Sequence, residues 1–515
     1  MSDLSQPSGS QASGVSAESQ PAQPMGHIAA RGAAWLGMSQ IARVVLMMLS
    51  TIVIARILSP DQYGVVAMVG PLFALVAMLQ DLGLGAATIQ ARGLTDEQSN
   101  ALFWINLAMS AGLAVLVACL APLVGWFYGD VRPAWVTLAG AGTVLVTGLA
   151  LQQAALLNRH MKFATISAID MAALVANYTV VLITALLLRS YWALVLGTLA
   201  GACVQTGMTW YASGFRPGRP HVRGVGEMAR FGGHLTGFTL LNFLVRNLDD
   251  VLVARFAGAA AAGLYDRSYR LMMMPLQTLN GPLNRLLQPM LAQVRDEPAR
   301  FRRIFSLAAR GVMLVIAAPV AVAVANADDV MLLLLGDRWT GAGPIFFWLG
   351  LAALIQPVAN LTGLLFIISG RGKAMLRWGV VSAVVTVAGF AAGIGYGAVG
   401  IAAAFFWSLL VRLPVLFAWS TASTPVRQGD LYAAQIAPLL GAGAVAEGCR
   451  MAGLDAGASP WELLPLLAAE TAAAYASSVL TSCLTANGRQ QVGELAGFAL
   501  TYLARIRVRQ AGSGK

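Results

Sequence analysis

The feature that most constrains this chain is the recurrence of long apolar runs. Stretches of 20 or more residues, almost free of charge, return from about residue 31 to residue 484. A helix rises 1.5 Å per residue, so each run can cross a hydrocarbon layer ~30 Å thick. Backbone in such a layer must satisfy its own polar groups, and for runs of this length the helix does so. Composition agrees, with 57% of the 515 residues hydrophobic and only 11% charged, against roughly 25% charged in a soluble domain. The sequence predicts an all-α polytopic membrane protein with about 14 transmembrane helices.

The connections set the topology. Residues 1–27 are rich in Ser, Gln and Pro and hold no Lys or Arg. They read as a disordered cytoplasmic tail, and a secretory signal with a basic n-region is missing. Basic residues then crowd alternate turns: Arg159 and Lys162; Arg216, Arg219, Arg223 and Arg230; Arg295, Arg300, Arg302 and Arg303; Arg371, Lys373 and Arg377. The turns between them are leaner. The positive-inside rule therefore places both termini and the basic turns in the cytoplasm. It also accounts for the excess of 34 Lys+Arg over 23 Asp+Glu, so no nucleic-acid partner is expected. Cys119, Cys203, Cys449 and Cys483 lie in or beside apolar runs, without C-x-x-C or metal spacing, and read as packing residues.

One stretch occurs twice. "ARILSPDQYG", residues 55–64, closes the first run, and a shortened echo, "ARFAGAAAAG", residues 254–263, closes the seventh. Each places an arginine ahead of a glycine at one spacing, Arg56 with Gly64 and Arg255 with Gly263. The even number of crossings between them predicts a parallel repeat of two six-helix bundles around a central cavity, spanning residues 28–214 and 230–424. A cytoplasmic linker would occupy 215–229, two additional helices 430–485 and a basic cytoplasmic tail 486–515. In the first copy Ser59, Pro60 and Gln62 have the pattern of a capped helix start. Arg56 reads chiefly as a headgroup anchor.

Polar residues inside the runs are the candidates for function, because a charge near the bilayer centre costs about 2.5–3.5 kcal/mol. In the eighth run Arg270, Gln277, Asn284 and Gln288 share one helical line within about 40°, with Arg267 and Arg285 beside it. Pro275, Pro282 and Pro289 recur in the same run and invite kinks. The first run adds Gln40 and Arg43, and the seventh adds Asn242, Arg246, Asp249 and Asp250. Arg43, Arg246, Arg270 and Arg285 are thus candidate cations of a substrate path, suited to phosphate or another anion. Gln40, Asn242, Gln277, Asn284 and Gln288 are its candidate polar lining. Asp81, Asp170, Asp249 and Asp250 carry two readings, ion coupling or structural pairing. Arg246 stands one turn from Asp249 and Asp250, and Asp170 suits an interhelical hydrogen bond.

Enzyme signatures are missing. No H-E-x-x-H, Walker or G-x-S-x-G motif occurs, and the four histidines are scattered. Gly395, Gly397 and Gly400 spell G-x-G-x-x-G, but in a tight turn with no preceding strand. No catalytic residue, metal or cofactor is expected. A membrane polysaccharide polymerase or ligase, the alternative from a different class, would call for a larger outer loop.

Several motifs resemble a known family. "ILSPDQYGVVAMV", "DLGLGAATIQ", "LTDEQSNALFWINL", "APLVGWFYGD" and the stretch "RNLDDVLVARFAGAAAAGLYDRSYRLMMMPLQ" resemble Wzx-type polysaccharide exporters, in particular the colanic-acid-exporter type. These are lipid-linked oligosaccharide flippases of the multidrug/oligosaccharidyl-lipid/polysaccharide superfamily. The resemblance covers roughly residues 30–420; the second copy departs from the first in lacking the Pro-Asp turn. It implies two facing six-helix bundles, often with two extra C-terminal helices. It also implies a substrate of undecaprenyl-pyrophosphate carrying an oligosaccharide repeat unit, moved across the bacterial inner membrane by alternating access. Membrane lipids, a polysaccharide polymerase and export machinery are the implied partners. An ion-coupled multidrug exporter and a lipid II flippase are the alternatives within transport.

Overall fold

The computed structural model describes residues 42–81, 85, 88–89, 95–218, 243, 247–452 and 460–497. Among them there is no strand. Helix α1 covers 42–57, followed by α2 (Pro60–Asp81), α3 (Asp96–Tyr128), α4 (Val131–Gly148), α5 (Leu151–Arg159), α6 (Phe163–Leu188) and α7 (Trp192–Ser213). Further along come α8 (Leu248–Gln293), α9 (Pro298–Ala325), α10 (Ala327–Leu335), a 3-10 turn (Asp337–Trp339), α11 (Ala342–Ile368), α12 (Gly372–Gly393) and α13 (Gly397–Thr421). Helices α14 (Gln428–Met451), α15 (Pro460–Ser482) and α16 (486–497) follow.

Nine helical stretches among the described residues are long and apolar enough to cross a membrane, so this is a multi-pass membrane protein. The described part of α1 is too short to be counted with them, and α8 is too polar. Large apolar side chains such as Leu187, Val384 and Leu480 stand on the outside, as they do when the surrounding solvent is lipid. Local signals set the ends. Thr95 and Gln98 exchange hydrogen bonds in a complete capping box at the start of α3, and Asp96 and Glu97 complement the dipole of its first turn. Helix α3 stops at Gly129 in the left-handed region, and Asp130 then caps α4 by accepting from the Arg132 amide at 2.8 Å.

Three details differ from the sequence reading. The apolar run near residues 134–157 is not one helix but breaks at residues 149–150 into α4 and α5. Side chains of α7 take up carbonyls at the break: Thr206 donates to Val146 at 3.0 Å and Trp210 to Leu149 at 2.8 Å. In α8 the dihedral break falls at Gly258 (φ 84, ψ 179), while helix continues through Pro275, Pro282 and Pro289. The lean connection after α9 is not a plain loop, since α10 and the 3-10 turn fill it.

The largest buried cluster joins α1, α2, α8, α9, α11 and α13. At its edge α2 and α8 cross on bare backbone. A Cβ at Gly64 would overlap the Ala259 carbonyl, and one at Gly263 would overlap the Pro60 carbonyl. Each would also lie 3.0 Å from the other glycine's nitrogen. The two glycines of the repeated stretch therefore touch reciprocally. The last helices pack on α9, where Arg302 grips Asp430 of α14 through two contacts of 2.6 and 2.7 Å, and Asn326 donates to Glu470 of α15 at 2.9 Å.

Candidate functional site

A cavity of about 510 Å³ lies between the N-terminal helices and α8. Apolar residues of α1, α2, α4, α6 and α7 make most of its wall, with Gln80, Thr143, Thr147, Asn177, Thr198, Tyr63 and Tyr178 among its polar groups. Its charged residues, Asp266, Arg267 and Arg270, all come from α8. Their spacing follows from helix geometry: residues four apart stand on one face, so Asp266 and Arg270 meet directly.

The ion pairs are close. Arg270 Nε donates to both carboxylate oxygens of Asp266, at 2.8 and 3.0 Å. Arg267 reaches the same carboxylate through Nε at 3.1 Å and Nη2 at 3.0 Å. Its guanidinium also sits 4.3 Å above the Tyr63 ring, which spreads the cation over an aromatic face. The Asp266 side chain is 14% exposed but that of Arg270 is 54% exposed. Arg270 therefore presents itself to the cavity while its carboxylate partner stays behind it.

One end of this cavity is closed by contacts between the two halves of the chain. The Trp339 indole donates to the Ala55 carbonyl at 2.8 Å, and Arg338 donates to Ile57 at 3.0 Å. These carbonyls belong to the last turn of α1, where no intrahelical donor remains. Arg56 returns the exchange by donating to Leu333 at 3.0 Å. It is thus a cross-half tie, where the sequence suggested chiefly a headgroup anchor. Its echo Arg255 also reaches across, lying 5.7 Å from the Phe127 ring of α3. Tyr63 packs edge-on against Trp339 at 5.3 Å and connects this closure to the cation–π contact below it.

Among the candidates named from sequence, Arg270 lines the cavity. Arg43 is exposed near the start of the described part of α1, and its charge acts on the cavity residue Tyr178. Arg285 and Gln288 are exposed further along α8, outside the cavity wall. Asn284 is half-buried, and no hydrogen-bond partner of its Oδ1 is found among the described residues. Gln40, Asn242 and Arg246 lie outside the described residues, as do the side chains of Asp81 and Gln277.

Asp170 accepts from Gln205 of α7 at 3.4 Å, away from the cavity wall. Asp249 is buried and accepts from the Tyr265 hydroxyl at 2.8 Å. Asp250 lies close enough to Asp266 and Arg270 for their charges to interact. Sequence reasoning missed Asp266 as a site residue, placed Arg267 only beside the stripe, and passed over Tyr63. The available signal was the spacing in "YDRSYR", residues 265–270.

Comparison with known proteins agrees with this architecture. A family model described as "Polysaccharide biosynthesis protein" matches residues 53–344. Lipopolysaccharide biosynthesis protein WzxC of Escherichia coli (strain K12) is 27% identical over 360 residues, covering 68% of this chain and 72% of that protein. Succinoglycan biosynthesis transport protein ExoT of Rhizobium meliloti (strain 1021) is 25% identical over 417 residues, covering 78% and 82%. Among solved structures, lipid II flippase MurJ in an inward closed conformation superposes with a TM-score of 0.69 at 11% identity, covering 87% of this chain and 98% of that one. An inward-facing MATE-family multidrug resistance transporter reaches 0.57 at 14% identity, covering 75% and 97%. These two likenesses are of fold. The matched family model spans more than half of the sequence, and the chain belongs to the polysaccharide biosynthesis protein family.

Proposed function

We propose that this protein is a flippase, not an enzyme, which moves an undecaprenyl-pyrophosphate-linked oligosaccharide repeat unit across the bacterial inner membrane for exopolysaccharide or lipopolysaccharide assembly. The observation that carries the reading is the cavity wall, in which Arg270 offers an accessible guanidinium beside a second arginine. Guanidinium is the side chain best matched to the paired oxygens of a pyrophosphate. The lipid tail would stay in the bilayer while the cavity holds the charged head.

In this reading the chain forms two six-helix bundles, 28–214 and 230–424, with helices 430–485 appended, about 14 crossings and both termini cytoplasmic. The reciprocal contact of Gly64 and Gly263 supports the parallel repeat. The end closed by Trp339, Arg338 and Arg56 would face the periplasm, and alternating access would open it. Drug export is the second reading, favoured only by the MATE-like fold. A cavity selecting cationic drugs would not present two arginines.

The test is flipping of a fluorescent polyprenyl-pyrophosphate-linked sugar in proteoliposomes. Losing one partner of a charge-assisted contact costs about 2–5 kcal/mol, so Arg270→Ala is expected to slow flipping at least about tenfold. Unchanged flipping by well-folded Arg270→Ala protein would refute the assignment. Ion-dependent drug transport without lipid flipping would favour the second reading.

A further inference from the structure

Asp266 presents a problem for a site that binds anions. It occupies the centre of the charged wall, accepting from Arg267 and Arg270 together, where it repels the group that the cavity would bind. A helix is not forced to carry it there, so its placement calls for a physical reason.

The reason lies in the unloaded carrier. A transporter that moves its cargo one way must return empty. Two guanidinium groups without a counterion in a cavity walled by helices carry a large desolvation cost. Loaded, the cargo's anionic oxygens offset that cost. Empty, another anion must do it, and Asp266 alone hydrogen-bonds both arginines among the described residues. The remaining nearby groups do not fill the role. Asp249 accepts from Tyr265, Asp250 interacts with Arg270 by charge alone, and Tyr63 offers a ring face to Arg267.

The geometry also leaves room for exchange. Asp266 takes only the Nε edge of Arg270. No hydrogen bond from either Arg270 Nη is found among the described residues. An arriving phosphate can therefore engage the outer edge of Arg270 before the carboxylate lets go, so neither guanidinium passes through an unpaired state.

We propose that Asp266 is the resident counterion of the empty cavity, standing in for the cargo's anionic group during the unloaded return. This rests on the reading that the cavity carries an anionic head group. Asp266 acts through the two arginines and is a positioning residue.

The experiment separates net flipping, which needs an empty return, from exchange, in which both strokes are loaded. Full-length protein in vesicles, with labelled polyprenyl pyrophosphate in one leaflet or in both, measures the two rates. Binding of inorganic pyrophosphate to purified protein gives the affinity. Asp266→Asn is expected to slow net flipping about tenfold or more while exchange stays within about twofold, and to bind pyrophosphate more tightly. Asp266→Glu, which keeps the charge, is expected to behave as wild type.

Equal loss of both rates in Asp266→Asn, or loss of neither, overturns the inference. Should that variant fail to fold, Asp266→Ser, which also removes the carboxylate, takes its place. Its ratio of net flipping to exchange is expected to be about tenfold below wild type, and an unaltered ratio overturns the inference. If wild-type protein binds no pyrophosphate, the anionic-cavity reading itself fails and takes this one with it. Binding in wild type with an unaltered ratio in Asp266→Asn sinks the counterion role alone.

Discussion

Replacing Trp339 by Phe tests the closure at one end of the cavity. The substitution keeps an aromatic ring against Tyr63 but removes the N–H that donates to Ala55 at 2.8 Å. Trp339 is 2% exposed and Ala55 0%, so water cannot replace the lost donor without opening the contact. A buried carbonyl left unpaired costs about 1–3 kcal/mol, and the smaller ring adds a void. Neither cost applies once the two halves have parted, so both weigh on the closed state alone. At about 1.4 kcal/mol per factor of ten, the lost bond alone is expected to lower the closed-to-open ratio roughly 5- to 140-fold. Spin labels at the exposed positions Val131 and Asp337 would report it, in protein whose four cysteines have been replaced. Pulsed dipolar spectroscopy is expected to show a longer-distance population growing in Trp339→Phe. A distance distribution identical to that of the wild-type background would mean that the indole bond does not hold the closure.

Further measurements bear on other contacts. Gly64→Val would drive a side chain into the Ala259 carbonyl; it is expected to abolish the closed spacing in the same distance measurement, whereas substitution at the open position Gly70 leaves it intact. Asp430→Asn breaks the grip of Arg302 on α14, and because the pair is partly exposed the expected loss is about 1 kcal/mol, read as a lower melting temperature in detergent. Hydrogen bonding from Arg132 holds the Asp130 carboxyl below its ordinary pKa. A lowered folded-state value stabilises at pH above the unfolded value, and the benefit is lost as pH falls through the folded one, below about pH 4. Melting of Asp130→Asn is therefore expected to lie further below wild type near pH 7 than near pH 3; equal differences at both would exclude the carboxylate as the cause.

Much of the helical plan was legible because membrane spans are written in one dimension. Apolar length alone located α3, α6, α7, α11 and α13, since each carries its own backbone hydrogen bonds. The break between α4 and α5 was hidden because its carbonyls are satisfied by Thr206 and Trp210, remote in sequence. Arg270 could be found from its stripe, as a charge in a greasy helix is expensive unless it faces something. Asp266 escaped as a site residue because its importance comes from holding two neighbours at once. The tie between Trp339 and Ala55 joins positions 284 residues apart, and no local pattern encodes such a contact. Asp170 had two readings from sequence, and in the fold it accepts a hydrogen bond from Gln205 of the neighbouring helix.

The crossing of α2 and α8 has a mechanical consequence. Most packed seams contain side chains, which change rotamer and cushion small displacements. Where Gly64 lies on Ala259 and Gly263 on Pro60, only main chain meets main chain, and main chain in a helix has no rotamer to give. Such a seam behaves as a hard fulcrum. The two halves can turn about it as rigid levers or lift away from it, but they cannot compress gradually into it.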